Sequence, residues 1–131
     1  SFMNSRFCTY VNVQMWVALA FRESLKGRHK SQRVGAVLLK GGNVIEKAFN
    51  ISRPYGEANC SLHAEERLLK GKTFIGCTLV VVRSNKQGKL VTMSRPCEHK
   101  CYDLVVRAKI RKIIYINWEG EIVIEKVKLL N

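Results

Sequence analysis

The sequence has no apolar run that approaches the roughly 18 residues of a membrane-spanning helix. It also shows no positively charged leader followed by an apolar stretch and a small-residue cleavage site, so the pattern does not indicate secretion. We therefore expect a soluble, cytoplasmic protein without a membrane partner. Ser1 and Phe2 precede Met3, and we interpret them as an addition to the natural chain.

Five cysteines, an odd number without regular spacing, do not form the framework of a disulfide-rich protein. Such a set is typical of a reducing compartment, where cysteines stay free or bind metal. We interpret Cys8 and Cys77 as small core residues. Cys60, Cys97 and Cys101 remain as candidate metal ligands.

Acidic residues are scarce, because 10 Asp and Glu stand against 23 Lys and Arg, which gives a formal net charge of +13. A chain this basic favours partners that carry phosphate, without indicating which phosphate. The alternative is that the basic surface serves only solubility.

The length suits one compact domain, and we predict a single domain over residues 1–131 without repeats or low-complexity segments. Residues 12–26 form a predicted buried helix that begins at Asn12, a good N-cap. Two apolar strands flank Gly41 and Gly42, which predicts a β-hairpin with a glycine turn.

After a loop, a second helix is predicted within residues 61–71, with Ser61 as a possible cap. The segment "CTLVVVR" has the continuous apolar character of a strand that is buried on both faces. A third helix is expected to start near Pro96, with Cys97 and Cys101 on one stripe that faces the core.

The last two strands are joined by only Trp118, Glu119 and Gly120. This connection is too short for a crossover helix, so the pair is predicted to be antiparallel. The complete order is αββαβαββ, which predicts an α/β fold with a mixed sheet of about five strands and helices on its faces.

His63 begins one predicted helix, and the cysteine pair begins another. Three N or S ligands from two helix starts suit a catalytic zinc, which keeps its fourth position for water. Glu65 lies on the apolar side of its helix, whereas Glu66 is predicted to form an exposed ion pair with Lys70. A carboxylate placed like Glu65 can hold the proton that a zinc-activated water gives up.

The segments "HAEERLL" and "SRPCEHKC" resemble the signature of the zinc-dependent cytidine and deoxycytidylate deaminases. The hairpin "VGAVLLKGGNVIEKAFN" and the segment "RKIIYINWEG" extend the resemblance over roughly residues 12–128. It implies the three-layer α-β-α sandwich of the cytidine-deaminase type and assembly as a homo-oligomer. The short final hairpin is more similar to the free-nucleoside branch than to the nucleic-acid editing branch.

The resemblance also implies a site, in which His63, Cys97 and Cys101 bind one Zn²⁺ ion with its catalytic water and Glu65 transfers protons. Substrate contacts implied in the same way are the side chain of Asn50 and the backbone N–H of Ala64. From the residues themselves we add the carbonyl of Arg95 as an acceptor for the amino group, and Tyr55 and Trp118 as stacking side chains.

The spacing departs from the family, because three residues separate Cys97 and Cys101 where the family has two. Both spacings keep the sulfurs on one side of a helix. The extra residue predicts either that the helix begins one residue early, at Cys97, or that its first turn contains a π-bulge. His99 is an alternative ligand in place of one cysteine.

A rival interpretation adds Cys60, which lies three residues before His63. With Cys97 and Cys101 these residues would complete a closed, purely structural zinc site. The remaining interpretation is that the pattern arises by chance and that no metal binds.

Three functions are therefore predicted. The first is deamination of cytosine in cytidine, deoxycytidine or their monophosphates. The second is deamination of single-stranded DNA or RNA, and the third is a non-catalytic, zinc-stapled module that binds nucleic acid. Adenine is an alternative base, since the same type of zinc centre also deaminates adenine at C6. The basic residues expected near the pocket, able to bind a strand or one 5′-phosphate, are Arg28, Lys30, Arg33, Arg53, Arg83, Lys86, Lys89 and Arg95.

Overall fold

A computed structural model describes residues 2–28, 32–52, 61–98 and 100–128, with the side chains of residues 11–28, 32–51, 63–98 and 100–128. In chain order the elements are α1 (Phe2–Ser24), β1 (Arg33–Lys40), β2 (Asn43–Phe49), β3 (Ile51–Ser52), β4 (Ser61–Leu62), α2 (Ala64–Leu69), β5 (Thr78–Ser84), β6 (Leu90–Val91), α3 (Cys101–Arg107), β7 (Lys112–Ile116) and β8 (Ile122–Lys126).

The five long strands form a mixed sheet in the order β2-β1-β5-β7-β8, and the short β6 pairs with β5 as a sixth strand. β5 and β7 are parallel, whereas the other neighbours are antiparallel. The long elements thus confirm the order αββαβαββ and the antiparallel last pair. The two-residue strands β3, β4 and β6 were not predicted, and β3 pairs with β4 outside the main sheet.

Helices cover both faces of the sheet. Alternate residues of a strand point to opposite faces, so the central strands β1 and β5 contribute to two cores. The core under α1 includes Val37, Leu39, Val80 and Val82. The core under α2 and α3 includes Ala36, Leu38, Leu79 and Val81. This is the predicted three-layer α-β-α sandwich, and burial of both faces explains the continuous apolar run of β5.

The predicted hairpin turn between β1 and β2 is confirmed. Gly41 and Gly42 have φ values of 57° and 82°. A two-residue hairpin turn of the favoured twist requires positive φ at both central positions, which glycine adopts without steric cost.

The first helix is longer than predicted, because α1 begins at Phe2 instead of Asn12 and ends at Ser24. No glycine or proline interrupts the sequence between these ends, so nothing in the chain stops the helix at Asn12. Within the described residues, no helix combines the length and apolar character needed to cross a bilayer.

The other two helices begin later than predicted. Ser61 does not cap α2, because it pairs in β4 with β3, and the helix starts after His63. α3 starts at Cys101 instead of near Pro96. The Ser94 N–H donates to the Ile116 carbonyl at 2.9 Å, at the end of β7, so the chain just before Pro96 is bound to the sheet and not to the helix.

α1 and β1 approach each other closely at Gly35. A Cβ atom built on this residue would collide with the backbone carbonyl of Ala20 and the backbone nitrogen of Ser24. Ser24 is also hydrogen-bonded through its hydroxyl to the Ser84 hydroxyl, at 2.8 Å. The absence of a side chain at Gly35 therefore sets the distance between the helix and the sheet.

We predict that Gly35→Ala lowers the free energy of unfolding by roughly 2–3 kcal/mol or more, because both colliding atoms belong to backbone that cannot move alone. Urea denaturation of the variant checks this, with Lys40→Ala, an exposed change in the same strand, as the control. An unfolding free energy equal to that of the control would contradict the close approach.

Candidate functional site

His63 lies at the junction between β4 and α2. It is the N-cap residue of α2, with an extended backbone (φ −63°, ψ 148°). Its backbone N–H donates to Glu66 Oε1 at 3.3 Å, and its Nδ1 lies 3.0 Å from Cys101 Sγ. The ring therefore presents Nδ1 to the cysteines.

The two cysteines occupy different environments, because Cys101 is buried at the start of α3 and Cys97 is exposed in the turn before it. The prediction that both face the core is wrong for Cys97. The Tyr102 N–H donates to the Cys97 carbonyl at 2.9 Å. This bond spans five residues, so a wide, π-type turn accommodates the extra residue. Of the two predicted adjustments, an early start of the helix at Cys97 is therefore wrong, because α3 begins at Cys101.

The wide turn brings both sulfurs toward His63. The Cys101 N–H lies 3.4 Å from Cys97 Sγ. The ligand atoms of His63, Cys97 and Cys101 all lie within 4.8 Å of one another. In a tetrahedral zinc site these atoms would be about 3.6–3.8 Å apart. The donor set therefore fits zinc after small side-chain adjustments.

Burial raises the pKa of the Cys101 thiol, and the nearby Glu65 carboxylate and Cys97 raise it further. A neutral thiol binds metal weakly, because the thiolate is the ligand. A bound cation reverses this preference by replacing the proton. Of the described residues, only His63, Cys97 and Cys101 form a group with the donor atoms and spacing for a metal ion.

Glu65 is buried in the first turn of α2, with 4% of its surface exposed. Burial raises its pKa, while a hydrogen bond from its own backbone amide, the charge of His63, an interaction with the Cys101 thiol and the charge of Arg83 oppose the rise. Glu65 is thus a carboxyl group that can hold a proton beside the candidate metal ligands.

Glu66 differs from its prediction, because it is buried and not part of an exposed pair. Its carboxylate binds Lys100 Nζ at 2.8 Å as well as the His63 N–H. Burial alone would raise its pKa, but these two partners outweigh burial and lower it. Glu66 therefore connects the starts of α2 and α3, a role that the sequence analysis missed.

A cavity of about 90 Å³ lies beside this cluster. The residues that line it are Gln32, Val34, Asn50, His63, Glu65, Val81, Arg83, Ser94, Arg95 and Cys97. It lies where β1 begins and β5 ends, since Val34 and Arg83 are paired across these strands. Of the eight basic residues predicted near a pocket, Arg83 and Arg95 are among its lining residues.

Asn50 is buried at the wall of the cavity, directly after β2. Its Oδ1 accepts from the Val34 N–H at 2.8 Å, and its Nδ2 donates to the Gln32 carbonyl at 2.7 Å. An amide side chain has two acceptor and two donor positions. Half of the hydrogen-bonding capacity of Asn50 therefore holds the start of β1 in place.

The side chain of Arg95 is held by an ion pair with Glu125. Its Nε and Nη2 donate to both carboxylate oxygens of Glu125, in β8, at 3.1 and 2.9 Å. The guanidinium lies 4.7 Å from the centre of the Tyr102 ring, and Tyr115 also donates to Glu125, at 3.0 Å. The hydrogen bonds from Arg95 lower the pKa of Glu125. This network holds the segment that carries Cys97. It could not be predicted from the sequence, because no periodic pattern relates Arg95 to Glu125.

Several other predicted residues can be placed. Ala64 is buried at the first position of α2, and Trp118 is 71% exposed in the turn between β7 and β8. Cys77 is buried in the core, as predicted. Predictions that concern the side chains of Cys8, Tyr55, Cys60 and His99, and of the basic residues Lys30 and Arg53, lie outside the described residues.

Comparison with known families gives a match over residues 11–117 to the family described as "Cytidine and deoxycytidylate deaminase zinc-binding region". Comparison with curated proteins gives no significant match.

Solved structures share the fold at low sequence identity. A dCMP deaminase from the cyanophage S-TIM5 is 20% identical, with a TM-score of 0.56 over 80% of this chain and 82% of that one. A cytidine deaminase from Burkholderia pseudomallei is 15% identical, with a TM-score of 0.57 over 87% and 91%. RibD from Acinetobacter baumannii is 23% identical, with a TM-score of 0.55 over 83% of this chain but 31% of its own.

We predict that Glu125→Gln lowers the free energy of unfolding by about 1–3 kcal/mol at pH 7, because Arg95 loses a charged partner. The folded-state pKa of Glu125 lies below its ordinary value of 4.5. The stabilisation is therefore present above pH 4.5 and is lost as the pH falls through the lower folded-state value.

Urea denaturation between pH 7 and pH 3 measures this difference, with the exposed change Glu121→Gln as the control. A difference between wild type and Glu125→Gln that is as large at pH 3 as at pH 7 would exclude an ionic contribution.

Proposed function

Because the chain belongs to the cytidine and deoxycytidylate deaminase family, we propose that it hydrolyses the amino group of cytosine in cytidine, deoxycytidine or their monophosphates. The products are the corresponding uracil compound and ammonia. The observation that carries this proposal is the position of buried Glu65 in one cavity with His63 and Cys97, beside Cys101.

In this proposal His63 Nδ1 and the sulfurs of Cys97 and Cys101 hold one Zn²⁺ ion. When bound, zinc activates a water molecule as a nucleophile near neutral pH and stabilises charge in the transition state. The three protein ligands leave the fourth position of a tetrahedral site open, as catalytic zinc sites require.

Glu65 moves the protons. It accepts one proton from the attacking water as the new C–O bond forms at C4 of the ring, and passes this proton to N3. It then accepts the second proton from the new C4 hydroxyl and passes it to the amino group, which leaves as ammonia when the C–N bond breaks. Its raised pKa suits this work, since a general acid and base is most effective when its pKa lies near the working pH.

Three groups are proposed to orient the substrate. The Ala64 N–H is at the first position of α2, where amides have no partner within the helix, and would donate to the base carbonyl. The Arg95 carbonyl would accept from the amino group. Asn50 keeps one acceptor and one donor position for the sugar. Stacking by Tyr55, assembly as a homo-oligomer and a cytoplasmic location stay predictions.

A second candidate function is deamination of single-stranded DNA or RNA, which the net charge of +13 favours. A strand-acting enzyme would lose turnover steeply as salt rises, because several phosphate contacts release counterions. A small-molecule enzyme depends less on salt, since its substrate carries one phosphate at most.

We predict that Glu65→Gln lowers kcat by roughly 10²- to 10⁴-fold, the usual contribution of a general acid and base. The variant keeps its zinc, because Glu65 is not among the metal ligands. Mass spectrometry detects deamination as a gain of about 1 Da, and metal analysis of the same sample reports zinc content. The control is Glu119→Gln, which changes an exposed carboxylate to the same amide.

Substrates for this assay are cytidine, deoxycytidine, their monophosphates and a single strand that contains cytosine. Turnover of the strand alone would replace the first proposal with the second. Absence of turnover from a wild-type protein that contains zinc would contradict both, and would favour a non-catalytic zinc module.

A further inference from the structure

Two arginines line the same cavity but differ in their partners. Arg95 forms a two-point ion pair with Glu125 and lies a further 3.9 Å from Glu98. Its positive charge is therefore largely neutralised by protein carboxylates. Arg83 is also half-buried, but none of the ion pairs between described residues includes it. Its charge acts at longer range on the Glu65 carboxylate, which lines the same cavity.

The fold directs Arg83 toward the site. Leu79, Val81 and Arg83 alternate along β5, so all three point to the face that α2 and α3 cover. The first two are buried in the core, whereas Arg83 lies near the end of the strand, opposite Val34. The guanidinium Nη1 donates to the Met93 carbonyl at 3.3 Å.

The bond to the neutral Met93 carbonyl orients Arg83 without forming an ion pair. A guanidinium has five donor positions in a planar fork, which matches the oxygens of a phosphate. Partial burial strengthens such a bond relative to one in open water, because the local dielectric is lower. Arg83 is therefore prepared for an anionic group that enters the cavity from outside.

We propose that Arg83 binds the 5′-phosphate of a cytosine nucleoside monophosphate and makes the monophosphate the preferred substrate. This inference rests on the proposed function. Ligand pockets usually measure about 300–1,000 Å³, whereas this cavity is about 90 Å³. The base therefore fills the cavity, and the phosphate binds at its edge, where Arg83 is partly exposed. One guanidinium that forms no ion pair suits one terminal phosphate better than a continuous strand.

The test compares kcat/KM for deoxycytidine monophosphate and deoxycytidine in wild type, Arg83→Gln and Arg83→Lys. Wild type is expected to prefer the monophosphate. In Arg83→Gln the ratio of the two values falls by roughly 10- to 100-fold, the usual effect of losing hydrogen bonds to a charged group. The loss appears mainly in KM, and Arg83→Lys, which keeps the charge, retains part of the ratio.

Arg111→Gln is the matched control, because it makes the same change at an exposed arginine outside the cavity lining. A thermal melt of each variant reports folding. If Arg83 had only a structural role, kcat/KM would fall equally for both substrates and their ratio would not change. That result would overturn the proposal.

A single-stranded oligonucleotide that contains cytosine forms a further arm. If Arg83→Gln lowered kcat/KM more for this strand than for the monophosphate, the assignment to a free nucleotide would be overturned. If wild type deaminated no substrate, the proposed function would fail, and calorimetric binding of the monophosphate and the nucleoside would still decide the role of Arg83. Equal binding of both by wild type would then overturn the inference.

Discussion

The site depends on the buried hydroxyl of Ser94. It donates to the Val81 carbonyl at 2.7 Å and accepts from the Ile116 N–H at 2.9 Å. β5 and β7 are paired only from Thr78 to Val80 on the β5 side, so Ser94 joins the strands where their own ladder has ended. Both groups would otherwise be buried without partners, which is costly. The hydroxyl therefore fixes the chain that leads to Cys97.

From this anchor the remaining geometry follows through short connections. The ion pair between Arg95 and Glu125 holds the next residue, and the wide turn after Cys97 delivers Cys101 to the start of α3. On the opposite side, the Glu66 carboxylate accepts a hydrogen bond from the His63 N–H and forms an ion pair with Lys100. Two very short helices can position the candidate metal ligands accurately because side chains outside that set hold their first turns.

The sequence predicted those features that depend on local chemistry. The hairpin at Gly41 and the order of the long elements follow from turn residues and periodicity. The grouping of the three candidate ligands follows from their ligand types and from the resemblance to the family. The burial of Glu66, the exposure of Cys97 and the pairing of Arg95 with Glu125 were not predictable, because they arise from contacts between distant segments. Spacing alone placed the cysteines on one helix face, whereas the backbone bond from Tyr102 to Cys97 moves Cys97 out of the helix.

The central claim is an open zinc site of one histidine and two cysteines. X-ray absorption spectroscopy at the zinc edge of the purified protein tests it most directly. We expect two sulfur ligands at about 2.3 Å and two lighter ligands, one imidazole nitrogen and one oxygen, at about 2.0–2.1 Å. A third sulfur, contributed by Cys60, would show a closed structural site, and that result or the absence of bound zinc would contradict the account.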